Sequence, residues 1–167
     1  MANTYVQIGS TVTVGSGGAA TIDFTSIPST YTDLVIKLSG RYSASAFDGH
    51  YIAFNGSILT FSGRYLLGSG SAASSGSLAR YLGTINGSSS TANTFTSTEI
   101  YIPNYAGSTN KSFSSDNVTE NNATESYANL VAGLWATTSA ITSISISLPT
   151  GNFVQYSTAS LYGIKST

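Results

Sequence analysis

The sequence predicts an all-β protein, a single antiparallel β-sandwich domain over residues 1–167. Three observations lead there. Apolar residues recur at every second position, turn-forming residues interrupt them at short intervals, and no window of about 12 residues carries a helical apolar stripe.

The alternation is plain in four places. Ala20, Ile22 and Phe24 alternate with Thr21 and Asp23, and Leu34, Ile36 and Leu38 with Val35 and Lys37. Ile100 and Ile102 alternate with Glu99 and Tyr101, and Ile144, Ile146 and Leu148 with Ser143, Ser145 and Ser147. Each reads as a strand with one apolar and one polar face. Further strand signals lie at residues 5–8, 11–14, 50–54, 78–85, 128–135 and 153–164. Leu78 to Leu82 would suit one helical turn, but the following Thr84 and Ile85 are better strand formers. The Gly/Ser-rich run at 68–77 reads as a long surface loop rather than an interdomain linker. The polar segment 109–126 reads as loops around one edge strand at Phe113.

Asn55-Gly56 and Asn86-Gly87 suit type I′ turns, which need positive φ at both central residues. Residues 15–18 and 149–151 read as loops, and Pro28 and Pro103 as strand ends, because proline donates nothing to a ladder.

Composition narrows function. Hydrophobic residues make up 41% of the chain and charged residues only 8%, against about 25% charged in ordinary soluble domains. Ser, Thr, Asn and Gly take the polar positions. Six basic residues (Lys37, Arg41, Arg64, Arg80, Lys111 and Lys165) are scattered singly and the net charge is -1. Nucleic-acid binding needs clustered cations, so that class is not expected. There is no Cys, which removes thiol catalysis, thiolate-held zinc and disulfides. No run reaches the roughly 18 apolar residues of a membrane span, and residues 1–8 lack the charge and apolar pattern of an export signal. Synthesis in a cytoplasm without membrane insertion is the expectation.

Candidate sites are sparse. His50 follows Asp48-Gly49, but no nucleophile-elbow pattern accompanies it, and the tripeptide reads as a turn entering a strand. Asp116, Glu120, Glu125 and Glu99 could supply paired carboxylates or a calcium site, yet their spacing matches neither pattern. Gly15 to Gly18 precede a strand, not the helix that a phosphate loop requires, so they read as a hairpin turn. Asn-x-Ser/Thr sequons at Asn55, Asn86, Asn110, Asn117 and Asn122 are expected from composition alone. No catalytic, cofactor-binding or metal-ligating residue is assigned. The eleven tyrosines offer more. Some alternate outward, such as Tyr101, and tyrosine serves both protein interfaces and sugar stacking.

Two blocks carry a resemblance. The first is Tyr5 to Gly9 with Ala20-Thr21-Ile22-Asp23-Phe24-Thr25-Ser26-Ile27-Pro28 and Tyr31-Thr32-Asp33-Leu34. The second runs from Trp135 through Ala140 to Ile144 and Gly151-Asn152-Phe153, closing on Leu161-Tyr162-Gly163-Ile164. With Phe54-Asn55-Gly56 and Ile100 to Tyr105 between them, they resemble small β-rich virion structural proteins of tailed phages. The resemblance implies a jelly-roll on the particle surface with no catalytic residues. The first expectation is a capsid decoration (cement) protein bound between major capsid protein subunits, with a homotrimer predicted. The alternative is a tail- or head-fibre module that binds host glycan through Tyr42, Tyr51 and Tyr105. An enzyme such as a polysaccharide depolymerase finds no paired acid/base motif in its favour.

Overall fold

A computed structural model describes residues 4–44, 48–120 and 125–165. They form twelve strands and no helix: β1 (Thr4–Thr13), β2 (Thr21–Phe24), β3 (Asp33–Gly40), β4 (Asp48–Phe54), β5 (Phe61–Gly68), β6 (Ala73–Gly76), β7 (Tyr81–Ile85), β8 (Thr96–Ile102), β9 (Lys111–Glu120), β10 (Ser126–Trp135), β11 (Ile144–Ser147) and β12 (Thr158–Lys165). Two antiparallel sheets pack face to face. The larger has the order β1-β12-β3-β8-β9-β10-β5-β6, the smaller β2-β11-β4-β7. The chain is a β-sandwich, as the alternation predicts.

Eight strands make two four-stranded ladders, β1-β12-β3-β8 and β2-β11-β4-β7, with the chain switching sheets between β1 and β2, β2 and β3, and β3 and β4. The other four are two inserted hairpins. β5 and β6 lie in sequence between β4 and β7, and β9 and β10 between β8 and β11. β10 pairs with β5, so the insertions join each other and widen the large sheet beyond β8.

The eight-strand part follows the sequence pattern directly. Leu34, Ile36 and Leu38 of β3, Ile100 and Ile102 of β8, Ile144 and Ile146 of β11, and Ile22 of β2 are all buried between the sheets. Their polar alternates face out, because successive side chains of a strand point to opposite faces. Where the insertions begin, the core becomes aromatic. Phe54 meets Phe113 edge-on at 5.8 Å and Trp135 at 5.5 Å, and Phe61 stacks on Trp135 at 6.1 Å. Such ring pairs add to simple burial.

Several expectations change. The two expected strands at 5–8 and 11–14 form one bulged strand, β1, which ends at Thr13 and shifts register between Ile8 and Val12. Strand β5 carries no alternation that sequence reading picks out. The expected loop at 68–77 contains β6, which pairs with β5 from Tyr65↔Gly76 to Gly68↔Ala73. The polar segment is not loops with an edge strand. Its residues 111–120 are β9, held on both sides by β8 and β10. Residues 78–80 precede β7 rather than belonging to it. Asp48-Gly49-His50 is strand, not turn.

Asn55-Gly56 does form the expected turn, with φ of 52° and 73° and Ser57 N–H donating to Phe54 O at 2.8 Å. It leads from the small sheet to the large one instead of closing a hairpin. The turn at Gly15 to Gly18 likewise links strands of different sheets. Asn86-Gly87 has no positive φ. Asn86 is instead buried, and its amide donates to Thr94 O and accepts from Glu120 N–H.

Gly133 of β10 faces the Phe113 ring, and a Cβ there would lie 2.0 Å from its edge. Gly133→Ala is expected to cost about 1–3 kcal/mol of stability, as overpacked cores do. Gly68→Ala, with nothing within 4 Å of its added Cβ, serves as the control and is expected to stay within about 0.5 kcal/mol. Urea midpoints at constant slope check both.

Candidate functional site

Three places carry groups that could bind or react: the buried polar cluster where the insertions meet β7, the titratable side chains, and the outer face of the large sheet.

The interior behind β7 is polar. Asn117 of β9 donates through Nδ2 to Thr98 Oγ1 at 2.8 Å and to Thr84 O at 3.0 Å. Asn129 of β10 donates to Asn117 Oδ1 and Thr84 Oγ1, both at 3.0 Å, and accepts from Tyr81 OH at 3.2 Å. Thr84 and Thr119 share a hydroxyl bond at 2.9 Å, and Ser115 donates to Leu82 O at 2.6 Å. Both amides thus have donors and acceptor satisfied away from water, which makes the burial affordable. Gly83 makes room: its φ is 126° and any Cβ would lie 2.4 Å from the Asn117 amide carbon.

His50 closes the cluster. It is fully buried, with Nε2 3.1 Å from Thr98 Oγ1. Since Thr98 accepts from Asn117, its own proton is free to go to Nε2, which fits a neutral imidazole. Nδ1 lies beside the Gly83 backbone without a well-formed hydrogen bond. Burial pushes the His50 pKa down to about 4, opposed by the Gly83 contact. No carboxylate orients the ring among its hydrogen-bond partners, so the geometry makes it a core residue.

The carboxylates are dispersed. Glu99 and Asp116 are cross-strand neighbours that project from one flat face rather than across a cleft. Glu99 is paired with Lys37. Glu120 accepts from the Thr91 backbone N–H and, at 2.9 Å, from the Thr91 hydroxyl. Residues 121–124 of the calcium candidate lie outside the described residues. Among those described, no three His, Asp or Glu side chains converge. The basic residues form no shared patch. Arg41 is buried and donates to Ser90 O, Thr91 O and Thr94 O, holding the loop between β7 and β8. Lys111 is buried too, donates to Thr109 O, and has its pKa lowered by that burial.

The proposed sugar groove is not brought together. Tyr42 is 1% exposed and Tyr105 is fully buried, its hydroxyl donating to Pro28 O. Both rings are core, because the loops that carry them fold under the sheets. Tyr51 is half-buried between Tyr81 and Arg80. Tyr101 does face outward, with its hydroxyl on Asp33 Oδ2 at 3.0 Å. Of the sequons, Asn86 and Asn117 are fully buried.

The outer face of the large sheet holds what sequence reading missed. Leu66 (59% exposed), Leu130 (57%), Val118 (45%) and Leu134 (38%) project there. Leu130 stands directly opposite Leu66, and Ala128 opposite Val118. Together they form an apolar stripe along β10, over an open depression of about 630 Å³. Contiguous apolar surface of this kind marks interaction sites on soluble proteins. Arg64 and Asp116 flank it on opposite banks, and the Lys37–Glu99 pair lies further along the face. The signal was available: once Val131 and Trp135 are placed inside, Leu130 and Leu134 must point out. At the far end, Tyr5 contacts Tyr162 edge-on at 6.3 Å. The free edge is β1, ten residues without a charge.

Two predictions follow from the interior. An unfolded histidine near pKa 6.5 binds its proton before the folded one near 4, so stability is complete above about pH 6.5 and falls as pH drops toward 4. The loss attributable to His50 is about 3 kcal/mol at most. It is read as the difference between the native chain and His50→Gln in urea titrations across that range, and equal slopes for the two would contradict it. Asn117→Asp replaces two donated hydrogen bonds with a buried carboxylate, and is expected to cost more than about 3 kcal/mol at pH 7, measured by the same unfolding titration.

Compared with protein-family models, with curated proteins and with solved structures, the chain finds no match.

Proposed function

We propose that this chain is a virion structural protein without a catalytic step, a capsid decoration protein that docks on neighbouring major capsid protein subunits and braces them. The single observation that carries the reading is the outer face of the large sheet, broad and lined in part by exposed leucines. Such a face gains by burial against protein. The strand order also supports it. The ladders β1-β12-β3-β8 and β2-β11-β4-β7 have the eight strands of a jelly-roll, a fold used in capsid domains, with two hairpins added.

In this reading the apolar face supplies burial, and the uncharged edge of β1 accepts a strand from a neighbour. Contacts of this sort depend little on salt, because screening acts on charges. The fibre alternative retains one observation, the exposed Tyr5 and Tyr101 and the half-buried Tyr162 on the same face. Tyr5 and Tyr162 meet at 61°, which suits a protein contact better than a flat sugar platform.

A density map of the intact particle tests the reading. Decoration requires on the order of hundreds of copies seated between shell subunits, as shells are multiply symmetric. A dozen copies or fewer at the tail, together with glycan-array binding lost in a Tyr5→Ala, Tyr162→Ala variant, would transfer the chain to the fibre class.

A further inference from the structure

The apolar stripe along β10 has no cover among the described residues, and the geometry points to a second copy of this chain as its occupant, packed face to face about a two-fold axis parallel to β10. The inference rests on the assembly reading in treating this face as buried in the working particle. It assigns the β5–β9–β10 part of that face to self-association and leaves the β1 end for other partners.

The charges on the banks select this arrangement. Arg64 lies on β5, directly opposite Ala132 of β10. Asp116 lies on β9, directly opposite Leu130. Both are exposed, and neither has an ion-pair partner among the described residues. A two-fold parallel to β10 keeps each residue's height along the strand and exchanges the two banks. Arg64 of one copy then stands over the β9 bank of the other, two residues from Asp116, or about 7 Å along the strand. An arginine side chain spans that offset, and the symmetry makes the pair twice. A two-fold in the sheet plane but perpendicular to the strands would set β5 over β5 and β9 over β9, with no opposite charges facing.

The apolar residues fit the same axis. Leu130 and Leu134 lie on the central strand, so they pack on their own symmetry mates. Leu66 shares the height of Leu130 and Asp116, so it stands over the second copy's β9 bank at Asp116 and reaches that copy's Leu130 only from the side. Aligned sheets pack about 10 Å apart at roughly 30°, and the small side chains of Ala128 and Ala132 allow that approach. The patch is therefore complementary to itself in shape class and in sign, as an isologous interface must be. A foreign partner would need to carry the same pattern reversed.

The test is the solution mass of the full chain by sedimentation equilibrium, from about 1 to 100 μM. A concentration-dependent dimer is expected. Leu130→Glu should weaken it by about 100-fold or more, and R64D or D116R alone by about 10-fold, since each breaks both symmetric pairs. The R64D/D116R double variant should recover to within about 3-fold of the native chain. All three positions are exposed, and an unchanged far-ultraviolet dichroism spectrum controls for folding. A monomer throughout, a trimeric mass, or a double variant no better than the singles would overturn the two-fold. A dimer that coats no shell would remove the decoration reading and leave this inference standing. A monomer that coats shells would do the reverse.

Discussion

The fold depends on a hydrogen-bonded cluster that is polar where a sandwich is usually apolar. Asn117 and Asn129 sit on the inserted hairpin β9–β10, and both bond to Thr84 of β7 in the opposite sheet. Each bond contributes only about 1 kcal/mol net, while each unmet partner would cost about 1–3 kcal/mol. The cluster therefore adds modest stability and a strong penalty for misplacement. Sliding β9 by one residue would turn Asn117 to solvent and bring apolar Val118 inward, stranding Thr84, Thr98 and Asn129. The polar interior fixes the register of the insertions against the eight-strand sandwich. Gly83 is the local condition for it, since only a residue without a side chain leaves space for the Asn117 amide at a φ of 126°.

That division explains what the sequence made legible. Four strands of the two basic ladders, β2, β3, β8 and β11, show ordinary alternation, and their positions can be read from Ile22, Leu34, Ile36, Ile100 and Ile144. The insertions invert the pattern. On β9 the inward residues include Ser115, Asn117 and Thr119, while Val118 points out. A reader who expects polar residues outside places this segment in loops, as happened with residues 109–126. β5 fails for a related reason. Its inward positions include Gly63, whose missing side chain makes room for the Leu78 carbonyl, so no run of large apolar residues marks it. β6 is Ala-Ser-Ser-Gly and carries no pattern at all. Its pairing comes from β5, a tertiary context that local composition cannot express.

The candidate site divided in the same way. The unpatterned charges, the lone histidine and the sequons were read mostly as structural, and the geometry gives His50, Arg41, Asn86 and Asn117 packing roles. Tyrosine was the residue type misjudged. Tyr42 and Tyr105 lie in connecting segments, where no alternation fixes inside from outside, so composition could not distinguish a sugar-stacking ring from a core ring. Tyr101 lies within a patterned strand, and its outward placement was readable from Ile100 and Ile102.

The inversion also bears on assembly. A strand that places hydroxyls and amides inside and leucines outside gives up part of the free energy that folding gains from burial. Interior hydrogen bonds offset the first half of that exchange, since both amides are saturated. Nothing among the described residues offsets the second half: Leu66, Leu130, Val118 and Leu134 remain more than a third exposed. Charges would ordinarily protect such a surface from association, but this face holds few, and the Lys37–Glu99 pair neutralises itself. A folded chain with this inserted sheet gains the missing burial only by covering the face, and the polar interior that fixes the register of β9 and β10 also fixes where those leucines stand. The order inside the sandwich and the capacity to associate outside it are two consequences of the same inverted hairpin.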